Sequence, residues 1–366
     1  MSHVWLPCGL YHQDYAKDHG WWQTPFIKGK MILLLAIIFI LFPLALTGYW
    51  FGVANMIGYT ALGALGVQIL IGYAGLITLG HAAFIAVGAY TSTLLILQFP
   101  WPPFFVNSGL AYPISIIVAG IFAGLWSVLF GLPSAKVKGF YLILTTMAAQ
   151  FITVDFIITQ YISQIGGRGQ AFSLPPGTIK IGPWTIDNEI KTYFLMAILL
   201  TLSVIAVANL LRSRVGRAWI AIRDNDIAAE TLGINIVWYK LINFFVAGFI
   251  AGLAGAFWVS NAAAISPEHF PWFWSLWLVG VILIGGVGSI HGVIFGSIFM
   301  VLVMELIQLG VISLGDVFPE LMIKFLYIKE AAFGLAICAF LIYEPRGLSY
   351  RWWQIKNYFN LWPFSY

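Results

Sequence analysis

No aspartate, glutamate, lysine or arginine occurs between Lys30 and Lys136. A membrane-spanning helix needs about 20 predominantly apolar residues, so this one interval has room for several. The rest of the chain continues the pattern: 61% of its residues are hydrophobic and 9% are charged. A soluble domain carries roughly 25% charged residues. So few charges cannot cover a water-facing surface. The chain reads as an all-α, polytopic membrane protein of about ten transmembrane helices, some broken by glycine.

The apolar runs fall at about 31–47, 50–71, 80–97, 113–132, 140–160, 193–211, 241–260, 273–284, from Ser289 to about 310, and 325–343. Ten spans put both termini on one side. The distribution of basic residues tests that arrangement. Thirteen fall on one side, from Lys17, Lys28 and Lys30 through Lys136, Lys138 and the 212–240 segment to Arg346, Arg351 and Lys356. Five fall on the other: Arg168, Lys180, Lys191, Lys324 and Lys329. The termini and residues 212–240 are therefore expected in the cytoplasm, and the 161–192 loop outside. The chain divides into a cytoplasmic segment (1–30), a membrane domain (31–343) and a basic aromatic cytoplasmic tail (344–366).

The ends and loops add smaller expectations. Residues 1–30 lack the basic start, apolar core and cleavage site of a signal peptide, so 31–47 is expected to remain as a span. His3, His12 and His19 share no helical face and read as part of a solvated tail. Two cysteines, Cys8 and Cys338, make neither a disulfide framework nor a metal site. Within the outer loop, the alternating Thr178–Ile181 and Trp184–Ile186 runs predict a small hairpin.

Two stretches carry the functional information. The first is Gly72-Tyr73-Ala74-Gly75-Leu76-Ile77-Thr78-Leu79-Gly80-His81, deep in charge-free sequence. In a bilayer, irregular backbone is tolerated only where protein or a water-filled cavity surrounds it. Such a break is a pointer to a transport site, although glycines also serve close helix packing. Gly58, Gly63 and Gly66, with Ala61 and Ala64, read as a packing surface on the preceding span.

The second stretch is Arg217 to Gly233, in the most charged segment of the chain. Asp224 or Asn225 can cap a short helix, Ala228 and Ala229 favour it, and Gly233 stops it. Asp226 and Glu230 are like charges at i,i+4, which weakens an isolated helix. Either a partner accepts this mixed apolar and acidic face, or the segment is a solvated connector.

Buried ionisable groups in a membrane are functional candidates by default. Asp155, Glu305, His81 and His291 could relay protons, as in an ion-coupled secondary transporter. Alternatively, Asp155 and Glu305 reach the outer interface or pair locally. No metal-enzyme motif or phosphate-binding loop of the GxxxxGK[ST] kind is present, so any ATP hydrolysis must occur on another chain. Neither metal nor cofactor is expected.

The Gly72–Tyr90 and Arg217–Gly233 stretches resemble the LivM-type permeases of branched-chain amino acid ABC importers. So do Ala247-Gly248-Phe249-Ile250-Ala251-Gly252, Ile284-Gly285-Gly286-Val287-Gly288-Ser289 and Glu344-Pro345-Arg346-Gly347-Leu348. The resemblance covers about residues 50–350. The first 30 residues, the outer loop and Lys329-Glu330 depart from it.

The resemblance implies a permease subunit in the cytoplasmic (inner) membrane. It would pair with a second, homologous permease, two cytoplasmic ATPase subunits and an extracytoplasmic substrate-binding protein, with no role for nucleic acid. Arg217, Arg223, Asp226, Ala228, Ala229, Glu230 and Gly233 would then form the ATPase-coupling segment. The substrate path would run past the polar groups at the glycine breaks: Gln68, Tyr73, Thr78 and His81, with Thr145, Thr146 and Ser289. Permeases for urea, amides or aromatic acids look similar. A membrane scaffold, the remaining alternative class, would need no polar break.

Overall fold

The computed structural model describes residues 25–134, 139–162, 172–175, 177–262, 264–315 and 324–361. His3, His12, His19 and Cys8 lie outside them. Each of the ten apolar segments is helical. The first comprises α1 (Pro25–Ala36), a π-helical stretch Ile37–Leu41 and α2 (Phe42–Ala45). Next come α3 (Gly48–Val67), running on as π-helix through Gln68–Tyr73, and α4 (His81–Leu97). A short α5 (Pro103–Asn107) precedes α6 (Ala111–Ser134), and α7 (Phe140–Gln150) continues as π-helix to Ile162.

After α8 (Glu189–Arg212), the charged segment forms two helices, α9 (Arg214–Asp224) and α10 (Asp226–Thr231). The chain then forms α11 (Ile236–Ala262), α12 (Trp272–Gly285), α13 (Ile290–Gly315), α14 (Phe325–Tyr343) and α15 (Leu348–Leu361).

Among the described residues, eight helices are long and apolar enough to cross a membrane, or nine if α14 and α15 count as one bent span. The expected total of ten is reached only by adding α4, whose 17 residues fall short. At 1.5 Å per residue α4 is about 26 Å long, less than the roughly 30 Å hydrocarbon core. The glycine break removes the discrepancy, because α4 starts inside the protein.

The long helix α11 is the hub and packs on α6, α4 and α3. Small residues set the spacing. A Cβ on Gly88 would collide with the Gly252 backbone, and one on Gly255 with the Ile85 carbonyl. In lipid, such close backbone approach and interhelical hydrogen bonds replace the hydrophobic drive of water. Ser127 Oγ donates to Phe244 O at 2.6 Å and Tyr112 Oη to Ala256 O at 3.2 Å, each tying α11 to α6. The α3 glycines act as the sequence predicts: Gly58 abuts Met196, Gly63 meets Ile85 and Leu278, and Gly66 meets His81 and Ala247.

The predicted hairpin is present, with Lys180 opposite Thr185 and Ile181 opposite Trp184. A second antiparallel pair joins Phe172–Ser173 to Ala264–Ile265. It links the loops on the face opposite α9 and α10. The tail, which carries no helical expectation, forms α15 over 14 residues.

Candidate functional site

Broken backbone in a membrane interior must find partners for its N–H and C=O groups. At Gln68–Gly80 several of the freed groups find one. The π-helical turn releases the Ile69 carbonyl, which accepts from Asn243 Nδ2 at 3.1 Å. The Gly72 carbonyl accepts from Arg223 Nη1 at 2.8 Å. Gly75 N and Leu76 N donate back to Ile71 O and Leu70 O. Farther along, Leu79 N donates to Thr146 Oγ1 at 3.2 Å and Gly80 N to Thr78 Oγ1 at 3.4 Å. Ala82 N, an orphan donor in the first turn of α4, is met by Ser275 Oγ at 2.9 Å.

These contacts define the path of the chain. Tyr73 ends the π-helix at the α9–α10 face. The chain then climbs back until His81 lies against Gly66, seven residues before Tyr73 and therefore about 10 Å above it. Ser275 sits in the first turn of α12, so α4 and α12 both begin at membrane depth and run in opposite directions. This accounts for the shortness of α4.

A second break closes against the first. Gln68 Nε2 donates to Gly286 O at 3.2 Å and Ser289 O at 3.1 Å, spanning the turn between α12 and α13. Gly286 and Gly288 hold φ of 118° and 82° there, a backbone that glycine alone adopts readily. A Cβ on Gly72 would strike Gly288 N, so the two turns are in backbone contact.

Arg223, at the end of α9, reaches both turns. Its guanidinium bonds Gly72, its stem lies against Gly75, and its Nη1 borders Gly288. It also pairs with Asp224 at 3.0 Å, in an exposed position where such a pair contributes little. A cavity of about 330 Å³ lies beside it, bordered by Gly75, Asp226 and Lys240.

Of the residues expected along a path, Gln68, Thr78, His81 and Thr146 are fully buried and Tyr73 nearly so. Gln68, Thr146 and the Ser289 carbonyl brace the two breaks. Ser289 Oγ also accepts from Gly292 N at the start of α13. Thr145 stands apart: it is half-buried and its hydroxyl returns to Leu142 O of its own helix at 2.8 Å.

In the 217–233 stretch, Asn225 supplies the cap, its Oδ1 accepting from Ala228 N at 3.1 Å. The α10 helix has only six residues, because Gly233 at φ 84° ends it and α9 is a separate helix. Ala229 is buried against the chain itself, whereas Ala228, Glu230, Ile227 and Leu232 face outward. Arg217 is exposed and donates to Arg212 O at 3.2 Å.

Ser275, Asn243 and Lys240 carry no sequence expectation, although a signal for them exists. Ser275 is the lone hydroxyl residue in α12. Lys240 and Asn243, both buried, are three apart near the start of an otherwise apolar helix and so share a face.

The intramembrane carboxylates have separate surroundings. Glu305 accepts from Tyr49 Oη across α3 and α13. Asp155 borders a cavity of about 510 Å³ on the opposite face, with Thr159, Ser266 and Glu268. His81 and His291 are near neither. Lys329 donates to Gln308 Oε1 at 3.3 Å.

The family model for the branched-chain amino acid transport system permease component matches residues 49–327. The chain is 27% identical over 304 residues to a LivM permease of Salmonella typhimurium, a high-affinity branched-chain amino acid transport protein, covering 77% of this chain and 69% of that one. The Escherichia coli LivM shows the same identity and coverage. A probable LivM of Methanocaldococcus jannaschii is 25% identical over 332 residues, covering 82% of this chain and 91% of the relative. No solved structure matches. With a polytopic helical membrane domain, two interlocked glycine breaks and a family match over most of its length, the chain belongs to the branched-chain amino acid transport permease family.

Proposed function

We propose that this permease subunit carries branched-chain or related hydrophobic amino acids inward across the cytoplasmic membrane, with both termini in the cytoplasm. A second, homologous permease completes the path. Two cytoplasmic ATPase subunits drive it, and an extracytoplasmic binding protein delivers substrate. The observation that carries this reading is the bond from Arg223 to Gly72. It connects the charged helix pair α9–α10 to the glycine break among the apolar helices.

In this reading, Arg217, Arg223, Asp226, Ala228, Glu230 and Gly233 belong to the ATPase-coupling unit, with Ala229 seating α10 on its own chain. Movement of α9 and α10 then displaces Gly72 and, through Gln68, the Gly286–Ser289 turn. Packed elements of this kind switch between discrete arrangements. The substrate path passes Gln68, Tyr73, Thr78, His81, Thr146 and Ser289, which open it when the braces part. Thr145 contributes least. Because the path is charge-poor, selectivity rests mainly with the binding protein.

Reconstitution in liposomes tests the proposal. With partner permease, ATPases and binding protein present, leucine, isoleucine or valine uptake should require ATP. Uptake by this chain alone, driven by a proton gradient, would overturn it in favour of an ion-coupled carrier using Asp155 or Glu305.

A further inference from the structure

At the α9–α10 face, α15 leaves α14 with a bend of 44° and packs on α13. Its Leu348, Arg351, Trp352 and Ile355 form an i, i+3, i+4, i+7 stripe. With the Phe295–Leu306 stripe of α13 they line an open, almost wholly apolar groove of about 490 Å³. Phe295 to Leu306 rises about 16 Å, close to the roughly 15 Å depth of one leaflet's hydrocarbon.

The mouth of this groove is cationic. Lys30 Nζ stands 5.2 Å over the Trp352 ring, and Trp352 packs edge-on against Phe295. Lys356 lies near enough to Lys30 for the two to act on each other as like charges, and both act on His291. Arg351 is neutralised by Glu344 at 2.6 Å, and Arg346 stacks over Tyr350. Among the described residues neither Lys30 nor Lys356 has a carboxylate partner. Two like charges converging at the end of an apolar slot call for an anion with a tail. Tryptophan beside lysine at helix ends is also the composition of a membrane interface.

We propose that this groove is a binding site for an anionic glycerophospholipid of the adjacent leaflet. An acyl chain lies along Phe299, Leu302 and Leu306, and the phosphate sits between Lys30 and Lys356. The lipid would splint α1, α13 and α15, which the protein joins only loosely at this edge. The inference rests on the membrane fold and not on the transported substrate.

Native mass spectrometry of the full chain in detergent, titrated with phosphatidylglycerol or phosphatidylcholine, tests it. Each basic residue near an anionic surface is worth about a factor of five, so the pair should favour phosphatidylglycerol roughly twenty-five-fold. The double variant Lys30→Gln/Lys356→Gln should lose that preference, with phosphatidylglycerol binding falling to the level of phosphatidylcholine, while Lys30→Arg/Lys356→Arg should keep it. Leu302→Trp, filling the groove, should displace both lipids, and millimolar inorganic phosphate should displace neither. Equal binding of the two lipids, an unchanged preference in the Gln pair, or displacement by inorganic phosphate would each overturn the proposal. So would a groove that retains no lipid and is protected from solvent labelling only in the assembled transporter, because a protein would then be its occupant.

Discussion

Arg223 Nη1 donates to the Gly72 carbonyl across 2.8 Å, joining residues 151 positions apart in sequence. A charged donor on a carbonyl freed by a π-helical end is stronger than an ordinary backbone bond. The side chain is more than a third exposed, so the contact acts as a removable latch more than as a folding anchor. Arg223→Ala should leave the assembled transporter hydrolysing ATP while uptake per ATP falls about tenfold, in line with the roughly 1.5 kcal/mol lower bound for such a bond. Parallel ATPase and uptake assays in proteoliposomes check this. A proportional fall in both rates would show that the residue serves assembly instead.

Gly80 approaches the Thr146 carbonyl so closely that a Cβ could not fit, and the obstacle is backbone. Gly80→Ala should therefore destabilise the detergent-solubilised protein by about 1–3 kcal/mol, seen as a lower Tm. Gly334, midway along α14, has nothing within 4 Å of the same atom. Gly334→Ala should leave Tm unchanged or raise it. If both variants behave alike, the re-entrant path between Tyr73 and His81 is misplaced.

Gln68 holds two carbonyls of the α12–α13 turn at once. Gln68→Leu removes both donors and leaves buried acceptors unmet, at a cost of about 1–3 kcal/mol. Transport should fall with stability, whereas the ratio of leucine to phenylalanine uptake should not move. A changed ratio in competition assays would assign Gln68 a direct part in substrate choice.

The membrane class, the helical segments and both glycine breaks are legible in the sequence, because each depends on local composition. Charge-free runs must be buried or lipid-facing, and clustered glycines interrupt a helix wherever they occur. The Thr178–Ile186 hairpin is legible for the same reason. What brings the two breaks together is not local. Gln68 has no visible reason to face Gly286 until α3, α12 and α13 are packed, and Arg223 reads as one more surface cation. The depth at which α4 starts is equally hidden, since it depends on Ser275 meeting Ala82 across 193 positions. Ala229 is similar: its helix propensity is plain, but its burial against the rest of the chain depends on packing that no local pattern shows.

Leu232, the C-cap of the six-residue α10, is 81% exposed, and Ile227 within the helix is 69% exposed. So short a helix is marginal by itself, and Asn225 and the buried Ala229 hold it in place without using these apolar side chains. Leu232→Ala and Ile227→Ala should therefore change the stability of the isolated chain by no more than about 0.5 kcal/mol, seen as a nearly unchanged Tm. Fully burying a Leu or Ile side chain in a partner's pocket is worth about 1.5–3 kcal/mol, so truncating each should cost more than about 1 kcal/mol. Retention of ATPase subunits during co-purification should accordingly weaken by roughly thirtyfold or more for the double variant. Undiminished retention would remove α10 as the docking element and leave the exposed face of α9, with Arg217, as the surface to test next.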